Sequence, residues 1–364
     1  MIKRSLAIFV VILFAVSLMA EDHHKVHQPT LTPQNSNTTN GLIAVSAVNS
    51  RVVWASGRNG TFVRTTDGGK TWIPGVVPGA ETLQFRDVQG FSDKVAYLMS
   101  ISPTGTVPTE FRIYKTVDGG NTWTMQFQNQ LAGAFYDCFA FWSPKRGIVH
   151  SDSVNGVFPD RRTTDGQTWQ DISGNMPPAL PGEASFASSG TCVATQGHDN
   201  AWIATGGSTI ARILATRDGG NTWNAYDTPL VSNPSAGAFT VAFRDAWHGI
   251  VGGGDLDPND PNNARTAVSH DGGRNWKLTN PPPVTGAIFG LAYAQDQNEN
   301  RWFGDDDDRT VVVTANAGGA AWTPDEGKTW YALQGVTGYW AVTFANEKVG
   351  WLVGTGGTIL KVTF

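Results

Sequence analysis

Charged residues, cysteines and helical periodicity are all scarce in this sequence. Only 16% of its 364 residues are charged, and they sum to a formal net charge of −5. A protein that binds nucleic acid needs a concentrated basic surface, which this balance excludes. The two cysteines, Cys138 and Cys192, are too few for a cysteine-rich metal site. No long stretch repeats its apolar residues with a helical period, so a mainly helical fold is excluded as well.

Glycine, aromatic residues and short apolar runs are abundant instead. The chain contains 42 glycines and 19 prolines, and 40% of its residues are hydrophobic. Runs of strand length that are rich in valine, threonine and aromatic residues alternate with turn-forming residues. The composition therefore predicts a folded all-β protein with a large core.

The longest apolar run lies at the N-terminus. Lys3 and Arg4 precede apolar residues that end near Ala20, and charged residues follow at once. This order predicts a signal peptide over residues 1–20, and a mature periplasmic or extracellular protein that begins near Glu21. An uncleaved anchor is the alternative. Residues 21–40 are polar and predict an N-terminal arm, and residues 41–364 predict a single domain. The arm's three histidines are interpreted as part of an extended segment rather than as a metal site.

One short motif occurs six times along the chain. It begins as "RTTDGGKTW" and returns as "TVDGGNTW", "TTDGQTW", "TRDGGNTW", "SHDGGRNW" and "TPDEGKTW". Its aspartates are separated by 51, 47, 53, 53 and 54 residues, so the repeating unit is about fifty residues long. The repeated aspartates are Asp67, Asp118, Asp165, Asp218, Asp271 and Asp325, and the repeated tryptophans are Trp72, Trp123, Trp169, Trp223, Trp276 and Trp330.

Each unit contains four segments of strand length, and the motif falls between the third and the fourth. After the sixth motif the chain supplies three further segments, "YWAVTFA", "VGWLVGTGG" and "TILKVTF", and then ends. Four-stranded units of this period are typical of propeller blades. The sequence thus predicts a seven-bladed β-propeller of four-stranded antiparallel blades. The missing outer strand of the last blade is predicted to come from the arm near Pro29 to Gln34.

Turn chemistry explains the repeated motif. An aspartate side chain can accept hydrogen bonds from the backbone two residues on, and glycine supplies positive φ angles. The tryptophan is predicted to cover the gap between neighbouring sheets. The motif is therefore interpreted as architecture rather than as a catalytic signature.

The motif is similar to the Asp-box, or BNR, repeat. That repeat occurs in sialidases, xyloglucanase-type glycoside hydrolases, sortilin-type receptors and photosystem II assembly factors of the Ycf48/HCF136 group. Longer segments such as "FTVAFRDAWHGIVGGG" and "YWAVTFANEKVGWLVGTGGTILKV" resemble the last group most. The resemblance covers residues 41–364. It implies a propeller fold, and it leaves function open because the same blades serve enzymes, receptors and binding proteins.

The strand order separates the two faces of the ring. The motifs and the turns between first and second strands share the bottom face, so the top face, which leans acidic, is the predicted binding face. Its candidates include the loop residues Glu110, Asp152 and Asp160. The binding residues predicted at or near the mouth of the channel are Arg58, Arg86, Asp87, Asp137 and Glu183.

Two functions compete at this face. The first is an exported, non-catalytic binding or assembly protein for another envelope or membrane protein, without a cofactor. The alternative is a secreted sialidase- or xyloglucanase-like glycoside hydrolase, in which Asp87, Asp137 and Glu183 act as acid and base on a carbohydrate. The arginine cluster of a sialidase and the second propeller of a xyloglucanase are both missing from this sequence.

Two weaker features remain open. Asp255, Asp257 and Asn259 begin like a calcium loop, but Asp260 stands where the loop requires glycine. The run from Asp305 to Asp308 is interpreted as a solvated turn. Cys138 and Cys192 occupy corresponding positions on neighbouring inner strands, where a disulfide requires Cα atoms within about 6.8 Å; the sequence does not decide whether it forms.

Overall fold

The structure is a computed structural model that describes residues 28–104, 106–259, 263–295 and 309–364. The predicted signal peptide, the three histidines of the arm, Asp260 and the run from Asp305 to Asp308 lie outside these residues. No helix in the described ranges is long and apolar enough to cross a bilayer.

The described residues form seven four-stranded antiparallel sheets, as predicted. The strands of the first two blades and the N-terminal strand are β1 (Thr30–Asn35), β2 (Leu42–Ala47), β3 (Val53–Gly57), β4 (Thr61–Thr65), β5 (Ile73–Val76), β6 (Gln84–Gly90), β7 (Ala96–Ile101), β8 (Arg112–Thr116) and β9 (Thr124–Gln128). Blades 3 and 4 consist of β10 (Tyr136–Ser143), β11 (Arg146–Ser151), β12 (Arg161–Thr163), β13 (Gln170–Asp171), β14 (Val193–Gln196), β15 (Asn200–Thr205), β16 (Arg212–Thr216) and β17 (Asn224–Asp227). Blades 5 and 6 consist of β18 (Ala236–Phe243), β19 (Gly249–Asp255), β20 (Thr266–Ser269), β21 (Lys277–Leu278), β22 (Gly290–Tyr293), β23 (Val311–Thr314), β24 (Ala320–Thr323) and β25 (Tyr331–Ala332). Blade 7 combines β1 with β26 (Tyr339–Phe344), β27 (Val349–Gly354) and β28 (Thr358–Thr363). Short 3-10 turns lie at Pro108–Glu110, Ser173–Asn175 and Thr355–Gly357.

The core lies between neighbouring blades. The second strand of each blade is covered on both faces, so it is a continuous buried run rather than an alternating one; β3, for example, is buried at all five positions. The outer strands, such as β5, are largely exposed. Several second strands carry an aromatic residue that reaches the next blade: the Trp202 indole donates to the carbonyl of Gly272, at 2.9 Å.

The ring closes through β1, as the sequence predicted. Thr30 pairs with Thr363 and Asn35 with Thr358, which makes β1 the outer strand of the last blade. Residues 30–35 of the predicted arm therefore belong to the propeller. Gln34 reinforces the closure, because its Oε1 accepts hydrogen bonds from the indoles of Trp72 in blade 1 and Trp351 in blade 7, at 3.0 and 3.2 Å.

The six repeated motifs are turns between third and fourth strands, which confirms that prediction. In the first, Asp67 accepts from the backbone N–H of Thr71 at 2.9 Å and from its hydroxyl at 2.6 Å. In this turn the backbone donor lies four residues on rather than two, because Gly68 and Gly69 take positive φ and fold Thr71 back onto the carboxylate. The predicted donor two residues on is present in the third motif, where Gln167 donates its N–H to Asp165 at 2.8 Å. These bonds from Thr71 lower the pKa of Asp67 to about 2.

The motif tryptophans cover gaps between blades, as expected. Trp123 of blade 2 packs edge-on against Trp54 and Phe62 of blade 1, with ring centroids 6.2 and 5.1 Å apart. Trp72 is 2% exposed. The motif thus stabilises its own turn and joins two sheets.

The sixth motif departs from the others, because Glu326 stands where most copies have glycine. Glu326 has a φ of 55°, in the left-handed region that favours glycine. Its carboxylate accepts from Arg244 Nε of blade 5 and from the Tyr293 hydroxyl, both at 2.9 Å. Burial disfavours the charged guanidinium, but Glu326 outweighs this effect and the pKa of Arg244 lies above its ordinary value. The side chains of Arg244 and Glu326 are only 3% and 7% exposed, so this is a buried ion pair between blades.

Candidate functional site

A ring of bulged residues surrounds the upper end of the central channel. The upper face is the one opposite the Asp-box turns. Five inner strands contain an irregularity at the same point near this face, where one residue is added to the strand. In blade 6, Phe289 immediately precedes β22 and donates its N–H to Thr314, which also pairs with Gly290. A bulge redirects the side chain of its extra residue, so these residues determine the chemistry of the mouth. We call the six the bulge ring: Ile43, Arg86, Asp137, Phe239, Phe289 and Trp340.

Blade 4 has a longer excursion in place of a bulge. Ala184 bridges to Gly206, and the chain returns to the sheet where Cys192 accepts from the N–H of Ala204. The residues between them, 185–191, leave the sheet and enter the channel; we call this segment the plug. Gly190 has a φ of 75°, and a Cβ on it would lie 2.5 Å from Asp87 Oδ1 and 3.2 Å from the Cβ of Ala44. Only glycine fits at this crossing.

Contacts to several blades hold the plug in place. Arg86 Nη1 of blade 2 donates to the carbonyl of Ala187 at 2.9 Å. Ser189 donates to the carbonyl of Phe289 in blade 6 at 2.7 Å, and Val241 of blade 5 donates to the carbonyl of Thr191 at 3.0 Å. The plug therefore separates the upper mouth from a lower cavity of about 600 Å³, which residues of all seven blades line.

Cys138 and Cys192 form a disulfide at the base of the plug. Their Cα atoms are 5.8 Å apart and both residues are fully buried. The bond joins the inner strand of blade 3 to the point where the plug rejoins blade 4. It answers the question that the sequence left open and fixes one end of the plug covalently.

Asp87 lies beneath the plug rather than at the mouth. It is 3% exposed, and its two oxygens accept the backbone N–H groups of Val88 and Phe139, at 2.7 and 2.8 Å. Burial raises the pKa of Asp87 well above its ordinary value, although both hydrogen bonds oppose the shift. Its observed contacts join the inner strands of blades 2 and 3.

Asp137 is buried beside a second carboxyl group. It is 1% exposed, and neither of its oxygens accepts a hydrogen bond from an N–H group or hydroxyl of the described residues. Burial raises its pKa well above the ordinary value, and the neighbouring charge of Asp152 adds to the shift. The pKa of Asp152 is also raised by burial. Burial and the neighbouring carboxyl group therefore both favour the protonated form of Asp137.

Glu183 is fully engaged within blade 4. Arg212 donates to both of its oxygens, through Nε at 2.9 Å and through Nη2. The Thr205 hydroxyl and the N–H of Leu180 donate as well, each at 2.7 Å. Glu183 is only 1% exposed and anchors the segment that leads into the plug. The structure does not bring Asp87, Asp137 and Glu183 together in one cleft.

Contacts within the protein hold two of the acidic side chains of the upper face, Asp160 and Asp255. Asp160 pairs with buried His150 at 2.9 Å. Asp255 accepts from Asn233 and Ser235, at 2.7 and 2.8 Å. Hydrogen bonds to Asp255, the largest from the backbone of Asp257, lower its pKa, so this carboxylate keeps its charge.

The carboxylates of the predicted calcium loop accept hydrogen bonds from the loop's own backbone. Asp255 accepts the N–H of Asp257, and Asp257 accepts that of Asn259, both at 2.9 Å. Within the described ranges, no three histidine, cysteine or acidic residues lie together in a way that could hold a metal ion.

The two predicted arginines form no ion pair within the described part of the chain. Arg58 is exposed in the turn between β3 and β4, and neither it nor Arg86 forms an ion pair with another described residue. Arg86 uses its Nη atoms on Ala187 and Gln84, while its buried Nε has no acceptor. Burial and the nearby charge of Arg58 lower the pKa of Arg86 to about 10. The charge of Asp137 opposes this shift but does not outweigh it. Two neighbouring arginines that form no ion pair within the described residues give this side of the mouth a positive character.

Sequence reasoning missed the aromatic side of the mouth. Phe186 of the plug stacks on Phe239 with centroids 3.8 Å apart. Phe239 lies 5.8 Å from Phe289, which lies 5.0 Å from Trp340. Phe239 is fully buried, while Phe289 and Trp340 remain partly exposed. The alignment of inner strands that located Arg86 and Asp137 also reaches Phe239 and Trp340, which precede Thr240 and Ala341 by one residue. It does not reach Phe289, because β22 ends at Tyr293 and β23 begins only at Val311.

Neither a protein-family model nor a curated protein matches this chain. Solved structures do. A structure described as YCF48 bound to D1 peptide has a TM-score of 0.62 and 16% identity, covering 93% of this chain and 96% of that one. YCF48 from Cyanidioschyzon merolae has a TM-score of 0.60 and 17% identity, covering 92% and 98%. The WD40 β-propeller domain of Doa1 has a TM-score of 0.53 and 11% identity, covering 92% and 97%. The chain is a seven-bladed β-propeller similar in fold to Ycf48.

Proposed function

We propose that the protein is an exported, non-catalytic, assembly-factor-like propeller that binds an extended segment of another envelope protein at its upper mouth. The arginine pair carries this proposal. Neither Arg58 nor Arg86 forms an ion pair within the described residues, whereas Glu183 is paired with Arg212 and burial favours the protonated form of Asp137. The mouth therefore carries positive charge that is not paired within the described residues, and a carboxylate of a partner would bind to it.

The likeness to Ycf48 supports a peptide as the bound element. One of the similar structures is described as bound to a D1 peptide, and that protein shares the propeller along nearly its whole length. The plug closes the channel, so a chain cannot thread through the ring. An extended segment would instead lie across the mouth, where it meets several blades at once.

The proposal of export rests on the N-terminal sequence. Two basic residues, an apolar run and an abrupt polar boundary form the pattern of a secretory signal. The buried disulfide is compatible with an oxidising compartment outside the cytoplasm. A partner anchored in or attached to the envelope follows from this location.

The carboxylates give the hydrolase alternative little support. A glycosidase needs two carboxyl groups that face one substrate across several ångströms. Asp87 lies under the plug and binds two backbone N–H groups, while Glu183 is held by Arg212. Asp137 is 1% exposed and has no access to a sugar in this conformation.

The test compares arginine variants in cross-linking capture from an envelope extract. We expect the wild-type protein to enrich one envelope protein, and Arg58→Gln/Arg86→Gln to lose most of that enrichment. Arg51→Gln removes an exposed arginine from the opposite face and should capture like the wild type. Because Arg86 also holds the plug, Arg58→Gln alone provides a variant that leaves those contacts intact. Equal capture by all variants would contradict the proposal, as would robust hydrolysis of a glycan by the wild-type protein.

A further inference from the structure

The bulge ring divides the mouth into two chemically different halves. Arg86 and Asp137 belong to blades 2 and 3, with Arg58 beside them in blade 1. Phe239, Phe289 and Trp340 belong to blades 5, 6 and 7 and follow one another through ring contacts. Charged groups therefore occupy one side of the mouth and a continuous series of aromatic rings the other.

The aromatic half contains both a support and an open surface. Phe239 is fully buried between Phe186 and Phe289, so it supports the rings on either side. Phe289 and Trp340 meet nearly edge to face, at an interplanar angle of 67°, and both keep part of their surface open to solvent. Their backbones are also fixed: the carbonyl of Phe289 accepts from Ser189, and that of Trp340 from Thr314 at 2.8 Å. Rings on a rigid frame lose little freedom when a ligand covers them.

Resting on the proposed peptide-binding function, we propose that Phe289 and Trp340 bind a large apolar side chain of the partner segment. The same segment would carry an acidic group that reaches Arg58 and Arg86. The two halves of the mouth favour this combination, because the aromatic half offers apolar contact area while the arginine half offers positive charge. The ligand class is therefore an extended peptide that presents an aromatic or large aliphatic residue and a carboxylate on the same side.

A displayed library of random heptapeptides, selected on the immobilised protein, tests this inference. The peptides enriched on the wild-type protein should share a large apolar residue and an acidic residue or free C-terminus. Trp340→Ala should weaken the binding of these peptides about thirtyfold or more, the range of a central aromatic contact. Trp340→Leu keeps an apolar side chain in the mouth and should lose less peptide affinity. It also tests the proposal if the alanine variant does not fold.

Trp247→Ala is the matched control. Trp247 is 42% exposed on the lower face, where the guanidinium of Arg217 lies 5.6 Å from its ring. Its removal should leave peptide binding unchanged. If enriched peptides bind the Trp340 variants as tightly as the wild type, or if basic residues dominate the selection, the aromatic site is refuted and peptide binding still stands. If no peptide is enriched over the bare support, the proposed function fails together with this inference.

Discussion

Replacing Glu326 by glycine restores the residue that most other Asp boxes have, yet it should destabilise the protein. The change removes the carboxylate that pairs with buried Arg244 at 2.9 Å and accepts from Tyr293. Breaking a buried ion pair from one side costs about 3–5 kcal/mol. Asp245 remains 3.5 Å from Arg244 Nη1, so the low end of that range applies.

Two smaller effects nearly cancel. The Tyr293 hydroxyl loses its acceptor, which costs about 1–3 kcal/mol for a buried group. Glycine relieves the strain of the left-handed backbone at position 326, which stabilises the variant by about 1–3 kcal/mol. The net loss is about 3 kcal/mol. With an unfolding entropy of about 2.1 cal/mol/K per residue, this lowers the Tm of a 364-residue chain by about 4 °C.

Thermal unfolding followed by circular dichroism measures this change. Asn316→Gly is the control, since Asn316 lies in the same blade at a φ of 49° and carries no charge. It relieves similar strain without breaking an ion pair, so its Tm should stay at or above that of the wild type. A Glu326→Gly protein that is as stable as the wild type would refute the reasoning. The ion pair with Arg244 would then contribute too little to offset the backbone strain at Glu326.

Two further predictions concern ring closure and the buried carboxyl pair. Deleting residues 21–40 should lower the Tm by several degrees, because blade 7 loses its outer strand and the indoles of Trp72 and Trp351 lose Gln34; an unchanged Tm would contradict closure by β1. Asp137→Asn should raise the Tm at pH 7 by a few degrees and change it less at pH 4. The raised pKa means that the native carboxyl holds a proton which the unfolded chain releases above about pH 4. Stability in the wild type is therefore lost as the pH rises above about 4, the ordinary pKa of an aspartate, whereas asparagine does not titrate; an equal change in Tm at both pH values would contradict the raised pKa of Asp137.

Local chemistry made the blades predictable from sequence. The motif residues act within one turn or against the adjacent blade, so their spacing gave the number of blades, the position of each turn and the need for a closing strand. Arg86 and Asp137 were found because strands of similar length place equivalent residues at equal distances from a turn.

Long-range pairing was not predictable in the same way. Glu326 is visible as an irregular motif, but its partner Arg244 lies 82 residues away and nothing local indicates it. The plug consists mostly of small residues, which are equally suited to an ordinary link between two blades. Only its contacts to blades 1, 2, 5 and 6 distinguish it from such a link. The pairing of Asp160 with His150 was hidden for a related reason, since a count of charges contains no information on which of them are paired.

The closing strand also determines the order in which the molecule can fold. Gln34 and Trp351 are 317 residues apart, so the ring cannot close before nearly the whole chain is available. Bringing segments so distant together costs about 5 kcal/mol of chain entropy, and contacts of this separation form slowly. Until β1 docks, β28 presents an open edge that accepts any strand of suitable sequence. The β1 strand of a second copy is such a strand. We therefore expect molecules that fold at high concentration to exchange β1 and to form domain-swapped dimers.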